Sequence, residues 1–227
     1  MASLSRASRI RTNNINPSIC DIQEKFRAQI YEFPKLYDSL QTRKKPKEPN
    51  NLNITSVSIT DKMLQAASIL KMPVFVTTQS RKKLGNTVSE LQERLNGPHI
   101  RADVDKTIFS MITPEIEKLL PAASETQLDV IIVGLETHIC VTQTTLDLLE
   151  RGHRVYVLVD GVSSVNSEER GVALARLRDA GAVITSSEGV LFEIVGDAGH
   201  EAFRAISGLV KETKESTKGA LGVFSKI

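Results

Sequence analysis

Residues 129–140 read DVIIVGLETHIC, and this stretch decides the fold class. Its first six residues form a continuous apolar run, which is typical of a strand buried on both faces of a parallel sheet. Comparable runs are PVFVT at 73–77, RVYVLVD at 154–160 and AVIT at 182–185. We assign residues 15–22 as the first strand, although Pro17 and Ser18 interrupt them, because a helical segment begins near Gln23.

Helical patterns lie between these strands. Residues 137–151 place Val141, Thr145, Leu148 and Leu149 on one helical face and end before a glycine. Other helical segments are 59–71, 114–120, 167–180 and a last one from Glu201 to about Lys211. The alternation predicts a parallel sheet with right-handed crossovers, in which functional residues follow the carboxyl ends of the strands.

The bulk composition suits one globular α/β domain of 227 residues. A formal charge of +2 gives no reason to expect a nucleic-acid partner, and no apolar run is long enough to cross a membrane. The two cysteines, Cys20 and Cys140, are too few for a disulfide framework. We therefore expect a reducing, cytoplasmic location.

The domain is expected to span residues 15–213. Residues 1–14 read as a disordered basic tail, which we favour over a mitochondrial presequence. Residues 42–53 are polar, contain two prolines and are expected to form an exposed insertion loop, and residues 214–227 a C-terminal tail. The final Ser-Lys-Ile, residues 225–227, resembles a peroxisomal address, but such a tripeptide arises easily by chance.

Three residues could carry chemistry, and each has a plainer interpretation. Cys140 follows a strand at the first turn of a helix, where backbone N–H groups favour a thiolate, but it could be a small core residue. Asp21 follows the first strand and could act as a general base or as a helix N-cap. Lys106 could stabilise both anions in a cleft, or could lie on the surface.

Several motifs resemble one known family. CDIQEKFR at 20–27, KTIFSM at 106–111 and GLETHICV at 134–141 resemble the signatures of isochorismatase domain-containing proteins, a eukaryotic branch of the isochorismatase-like cysteine hydrolases. TTLDLLERG at 144–152, VDGVSS at 159–164 and SSEG at 186–189 also match. The resemblance covers the chain from Cys20 onward, apart from the 42–53 insertion.

The resemblance implies a catalytic triad of Asp21, Lys106 and Cys140 that forms a thioester with a small amide-like substrate. It implies a three-layer, doubly wound fold with a six-stranded, mainly parallel sheet and helices on both faces, and commonly a homo-oligomer such as a dimer or tetramer. It also implies a cis peptide between Leu135 and Glu136, with the backbone N–H groups of Glu136 and Cys140 binding the oxyanion. Candidate substrate contacts are Gln79, Phe26 and His138.

The chain departs from the family pattern after its second strand. Nicotinamidases carry an Asp/His metal cluster there, whereas residues 77–85 contain neither acid nor histidine, so we predict no catalytic metal and no cofactor. Thr78 replaces the glutamate usual in the eukaryotic branch. The sequence therefore leaves two hypotheses, a metal-independent cysteine hydrolase or a non-catalytic binding protein on the same fold. Rossmann-type nucleotide binding is disfavoured because no Gly-x-Gly-x-x-Gly follows a predicted strand.

Overall fold

The computed structural model describes residues 10, 14–30 and 56–224. The insertion loop at 42–53, the tripeptide at 225–227 and nearly all of the basic tail at 1–14 lie outside the described residues. Within the described part, six strands form one sheet: β1 (Ile15–Cys20), β2 (Val74–Gln79), β3 (Ile100–Lys106), β4 (Asp129–Leu135), β5 (Arg154–Ser163) and β6 (Val183–Thr185). None of the described helices is long and apolar enough to cross a membrane.

The sheet has the order β3-β2-β1-β4-β5-β6, and every neighbouring pair is parallel. The predicted six-stranded parallel sheet is therefore confirmed. The chain builds one half of this sheet outward from β1 and the other half outward from β4. Such a reversal of strand order opens a crevice beyond the carboxyl ends of the two central strands.

Helices cover both faces. One face packs against α1 (Ser56–Leu70), α4 (Ser187–Val195), α5 (Phe203–Glu212) and α6 (Lys214–Phe224), and the other against α2 (Thr142–Glu150), α3 (Ser167–Ala180) and the short helix Pro114–Glu117. The central strands β1 and β4 are buried on both sides because alternate residues enter different cores. Ile131 and Val133 belong to the first core, and Val130 and Ile132 to the second.

Pro17 fits in the central strand because of how β1 pairs. Pairing with β4 runs from Ile15 to Cys20, but pairing with β2 begins only at Ser18, after the proline. The proline, which has no N–H to donate, therefore lies outside the ladder that β1 forms with β2.

Three elements of the described core differ from the sequence-based expectation, and one of them is helix α4 (Ser187–Val195), where the sequence analysis places no helical segment. Strand β3 was not assigned, and its alternation of half-buried and exposed residues marks it as the edge strand of the sheet. Residues 214–224, expected to be part of a tail, form helix α6, whose Ala220 is fully buried against the core.

Candidate active site

Three sequence-predicted residues meet at the carboxyl edge of the sheet. Asp21 directly follows β1, Lys106 is the last residue of β3, and Cys140 lies in the turn after β4. Their exposed fractions are 1%, 4% and 5%, so all three are buried. The positions match the crevice expected where the strand order reverses.

Asp21 is held in one orientation from both sides of its carboxylate. Its backbone is left-handed, with φ of 52°, a conformation that aspartate adopts more readily than most residues. The Thr77 hydroxyl donates to Oδ1 over 2.8 Å, and Lys106 Nζ donates to Oδ2 over 2.7 Å. The Asp21 N–H in turn donates to the Thr77 carbonyl over 3.1 Å. The carboxylate therefore has a fixed position in a buried ion pair.

The Lys106 ammonium is surrounded by oxygen acceptors. Besides Asp21, it donates to Gln79 Oε1 at 2.7 Å and to the carbonyls of Phe109 and Ile108 at 2.9 and 3.3 Å. Burial alone would lower the pKa of Lys106, but the nearby charges of Cys20, Asp21 and Cys140 and the hydrogen bond to Asp21 outweigh burial and raise it. Lys106 is therefore a permanent buried cation at neutral pH.

Cys140 reaches this ion pair from a π-helical turn. The turn spans Thr137–Val141 and precedes α2, so the residues predicted as one helix begin with a wider coil. The sulfur of Cys140, the sulfur of Cys20 and a carboxylate oxygen of Asp21 all lie within 4.8 Å of one another. A thiol and a candidate proton acceptor are thus close neighbours.

Gly134 allows β4 to approach β1 at this point. It pairs with Cys20 and has φ of +134°, which side-chain-bearing residues rarely adopt. A Cβ added there would lie 2.1 Å from the Cys20 carbonyl oxygen. Only glycine fits without displacing the backbone from which the Cys140 turn departs.

Two contributors to the site were missed from the sequence. Thr77 orients the carboxylate because it is the β2 residue level with the end of β1, a register that only the pairing of the two strands sets. Cys20 is fully buried and donates to Asp21 Oδ2 over 3.5 Å. Burial, a hydrogen bond with Cys140 and the charge of Asp21 raise the pKa of the Cys20 thiol, and Lys106 offsets this only in part.

The three candidate substrate contacts have different surroundings. Gln79 binds Lys106 through Oε1 and donates Nε2 to the Thr107 carbonyl over 2.8 Å, so it holds the lysine in place. Phe26 is half-buried against the core on the α1 face. His138 lies within the π-helical turn that contains Cys140, and its Nδ1 is 3.2 Å from Ser164 Oγ and 3.5 Å from Glu136 Oε2.

Glu136 joins the turn that contains Cys140 to the loop after β5. Its carboxylate accepts from the Val165 N–H at 3.1 and 3.2 Å. Burial raises the pKa of Glu136, and hydrogen bonds to Val165 and Ser164 and the nearby His138 oppose the increase. The side chain therefore fixes the backbone whose N–H groups were predicted to bind an oxyanion.

The predicted cis peptide between Leu135 and Glu136 is wrong. All peptide bonds in residues 10, 14–30 and 56–224 are trans. Glu136 has an ordinary extended backbone with φ of −68° and ψ of 123°, and its carbonyl accepts from the N–H groups of Ile139 and Val141 at 3.1 and 3.2 Å. The trans chain thus enters the π-helical turn directly, whereas a non-proline cis bond would cost about 3–4 kcal/mol.

Cys20, Asp21 and Cys140 also have the spacing of a three-ligand metal group. The donor set argues against a cation there, because the Lys106 ammonium already contacts Asp21 Oδ2 at 2.7 Å and would repel it. The thiol of Cys20 also holds its proton, whereas a metal requires thiolate ligands. The arrangement suits proton transfer better than metal binding.

Three depressions in the part of the chain that the structure describes lie away from these residues. One of about 530 Å³ is lined by residues that include Glu117, Pro121 and His153, and one of about 470 Å³ by residues that include Asn14 and Pro73, at the amino end of the sheet. A small cavity of about 10 Å³ lies under the helices beside β1 and β4. Ligands of such sheets bind at the carboxyl ends of the strands. We therefore assign the candidate active site to the cluster of Asp21, Lys106 and Cys140 and not to these depressions.

Comparisons with known proteins agree with this architecture. The family model of the isochorismatase domain matches residues 19–189. A secreted isochorismatase effector of Phytophthora sojae is 39% identical over 218 residues, with 93% of each protein covered. Isochorismatase domain-containing protein 2 of Xenopus laevis is 37% identical over 224 residues, 99% of this chain and 96% of that protein. The solved MAR1 ribonuclease of Caenorhabditis elegans superposes with a TM-score of 0.74 at 36% identity, covering 90% of this chain and 93% of that one.

Proposed function

This chain belongs to the isochorismatase family of hydrolases, and we propose that it is a metal-independent cysteine hydrolase acting on a small amide-like substrate. One observation carries the proposal. A sulfur, a carboxylate and an ammonium from three separate segments of the chain meet in a buried cluster. A nucleophile beside a proton acceptor that is itself oriented by a third group is the arrangement required for covalent catalysis.

The proposed reaction begins with transfer of the Cys140 proton to Asp21. The thiolate attacks the carbonyl carbon of the substrate, and the carbon–nitrogen bond breaks as the amine takes the proton from Asp21. Water then hydrolyses the thioester and restores the thiol. Lys106 balances the negative charge that Asp21 and Cys140 share and keeps the carboxylate in place.

Backbone N–H groups of Glu136 and Cys140 are the proposed oxyanion site. Other amides of the same turn are already engaged: Thr137 donates to Ser164 Oγ at 3.1 Å, and Ile139 and Val141 donate to the Glu136 carbonyl. These bonds fix the turn before substrate arrives, and such preorganisation is what makes an oxyanion site effective.

Apolar side chains beside the cluster favour a small substrate with an apolar part. Ile108 and Phe109 are both 49% exposed, and their carbonyls contact the Lys106 ammonium. Val165 is 47% exposed, and its N–H holds Glu136. A second subunit of the expected homo-oligomer would bury the same side chains.

The test is a panel of small amides and esters, together with single-stranded RNA because of the name of the C. elegans relative. Wild type should turn over at least one amide or ester and form an acyl adduct on Cys140 that mass spectrometry detects. A Cys140→Ala variant should lose about 10³-fold or more of this activity and form no adduct. RNA cleavage that survives Cys140→Ala, or amide hydrolysis undiminished in that variant, would overturn the proposal.

The 5% exposure of Cys140 favours a second candidate, a non-catalytic binding protein on the same fold. Alkylation by iodoacetamide separates the two. A nucleophilic Cys140 should react rapidly near neutral pH, whereas a merely structural thiol should react slowly and only as the pH approaches about 8.5.

A further inference from the structure

Cys20 is a buried thiol beside the nucleophile that the proposed hydrolysis does not use. Its sulfur lies within 4.8 Å of the Cys140 sulfur, and its side chain is fully buried at the end of the central strand β1. Two thiols this close need a combined shift of less than about 3 Å to reach the disulfide bond length. From this geometry we propose that Cys20 and Cys140 form a reversible disulfide when a peroxide oxidises Cys140.

Accessibility assigns different roles to the two sulfurs. Cys140 retains 5% exposure and lies in a π-helical turn, whereas Cys20 has none and is held by pairing with both β2 and β4. A peroxide from solvent therefore meets Cys140 first. Cys20 stays a thiol, because burial and its neighbours raise its pKa, until an electrophilic sulfur forms beside it.

The chemistry balances with a peroxide as the sole oxidant. The Cys140 thiolate attacks one peroxide oxygen, the O–O bond breaks, and Cys140 becomes a sulfenic acid while the other oxygen leaves as water or an alcohol. The sulfur of Cys20 then attacks the sulfenic sulfur, and its hydroxyl leaves as water. A dithiol reductant returns both thiols by exchange.

Asp21 supplies the acceptor for the second proton transfer. The Cys20 thiol already donates to Asp21 Oδ2 over 3.5 Å, so the carboxylate can take that proton as the disulfide forms and pass it to the departing hydroxyl. Lys106 Nζ lies 2.7 Å from the same Asp21 oxygen and holds the carboxylate in place for this step. The same carboxylate therefore serves both thiols.

Disulfide formation has two consequences for the site. It removes the nucleophile, so hydrolysis stops until the bond is reduced. It also stops oxidation at a reversible stage, because a sulfenic acid without a neighbouring thiol proceeds to sulfinic acid, which simple thiols do not reduce.

The test treats the full chain with hydrogen peroxide and measures intact and peptide masses. Wild type should become lighter by two hydrogen atoms, and a Cys20–Cys140 linked peptide should appear. Dithiothreitol should restore the mass and the labelling of Cys140 by iodoacetamide. The matched Cys20→Ala variant should instead gain two oxygens at Cys140 and recover no labelling after dithiothreitol.

The inference rests on the proposed reactivity of Cys140, and the experiment separates the two. If untreated wild type labels at Cys140 but peroxide adds two oxygens with no linked peptide, the disulfide is refuted and the hydrolase proposal stands. If Cys140 reacts with neither iodoacetamide nor peroxide in the native protein, both are refuted. Should Cys20→Ala not fold, the wild-type masses alone decide.

Discussion

Replacing Lys106 with methionine tests the ion pair on which the candidate site depends. Lys106 and Asp21 side chains are 0% and 1% exposed, and their charged atoms lie 2.7 Å apart. Methionine keeps the length of the side chain but leaves a buried carboxylate whose remaining side-chain donors, among the described residues, are the Thr77 hydroxyl and the Cys20 thiol. Removing one partner of such a pair typically costs about 3–5 kcal/mol of folding free energy.

The converse substitution, Asp21→Asn, should cost less. It leaves the Lys106 ammonium three oxygen acceptors, on Gln79, Ile108 and Phe109. The double variant should lose less stability than the sum of the two single variants, because neither unpaired charge remains buried. The coupling should be on the order of 2 kcal/mol.

Thermal unfolding followed by circular dichroism measures these effects. For a domain of this size, each kcal/mol shifts the midpoint by roughly 2–4 °C, so Lys106→Met should lower it by about 6–20 °C. Arg151→Met is the matched control, since its pair with Glu117 spans 3.0 Å but is 35% and 57% exposed. Such a surface pair is worth less than about 1 kcal/mol. Equal shifts for Lys106→Met and Arg151→Met, or additive losses in the double variant, would refute the reasoning.

Three further substitutions test two neighbours of the site and one buried residue away from it. Gly134→Ala should destabilise the protein by more than about 2 kcal/mol, because the new Cβ meets a backbone oxygen of β1 at 2.1 Å; Gly208→Ala, with open space around its Cβ, should have an effect below about 1 kcal/mol in the same denaturation assay. Thr77→Val should remove a bond to the Asp21 carboxylate and cost about 1.5–3 kcal/mol, and an unchanged unfolding midpoint would contradict this. Burial and the nearby Arg151 charge lower the pKa of His153 in the folded protein. As the pH drops below about 6.5, this histidine therefore takes up a proton more readily in the unfolded chain, and the stability of the fold should fall. His153→Gln should reduce this dependence of the unfolding midpoint on pH, and an unchanged dependence would contradict the assignment.

The sequence predicts those parts of the fold that depend on local pattern. Strands β4 and β5 each contain a continuous apolar run, residues 130–133 and 155–159, so both could be identified without knowing their neighbours. Edge strand β3 could not be identified in this way, because alternate side chains face solvent. Its sequence, IRADVDK, therefore contains four charged residues and no continuous apolar run. Its place in the sheet follows from pairing with β2, which is a tertiary contact.

The site was predictable to a similar degree. Asp21, Lys106 and Cys140 lie in motifs that resemble a family signature, so each could be named before its position was known. The role of Thr77 depends on the register between β1 and β2, and that of Cys20 on how closely β4 approaches β1. Neither is encoded in local sequence, and the same holds for the trans bond that leads into the π-helical turn.

Charge balance in the buried cluster limits which proton can move. The cluster contains one ammonium, one carboxylate and two thiols, and its neutral form pairs the two charges. Passing the Cys140 proton to Asp21 creates a thiolate without changing that net charge. Losing the proton to bulk water would leave an excess buried anion, which costs several kcal/mol. A second thiolate, on Cys20, would likewise add an uncompensated buried anion, and burial accordingly raises the pKa of the Cys20 thiol. The proposed general base and the resolving role of Cys20 therefore follow from one constraint: among the residues that the structure describes, Lys106 is the cation that compensates charge in the cluster, so one sulfur at a time can be activated.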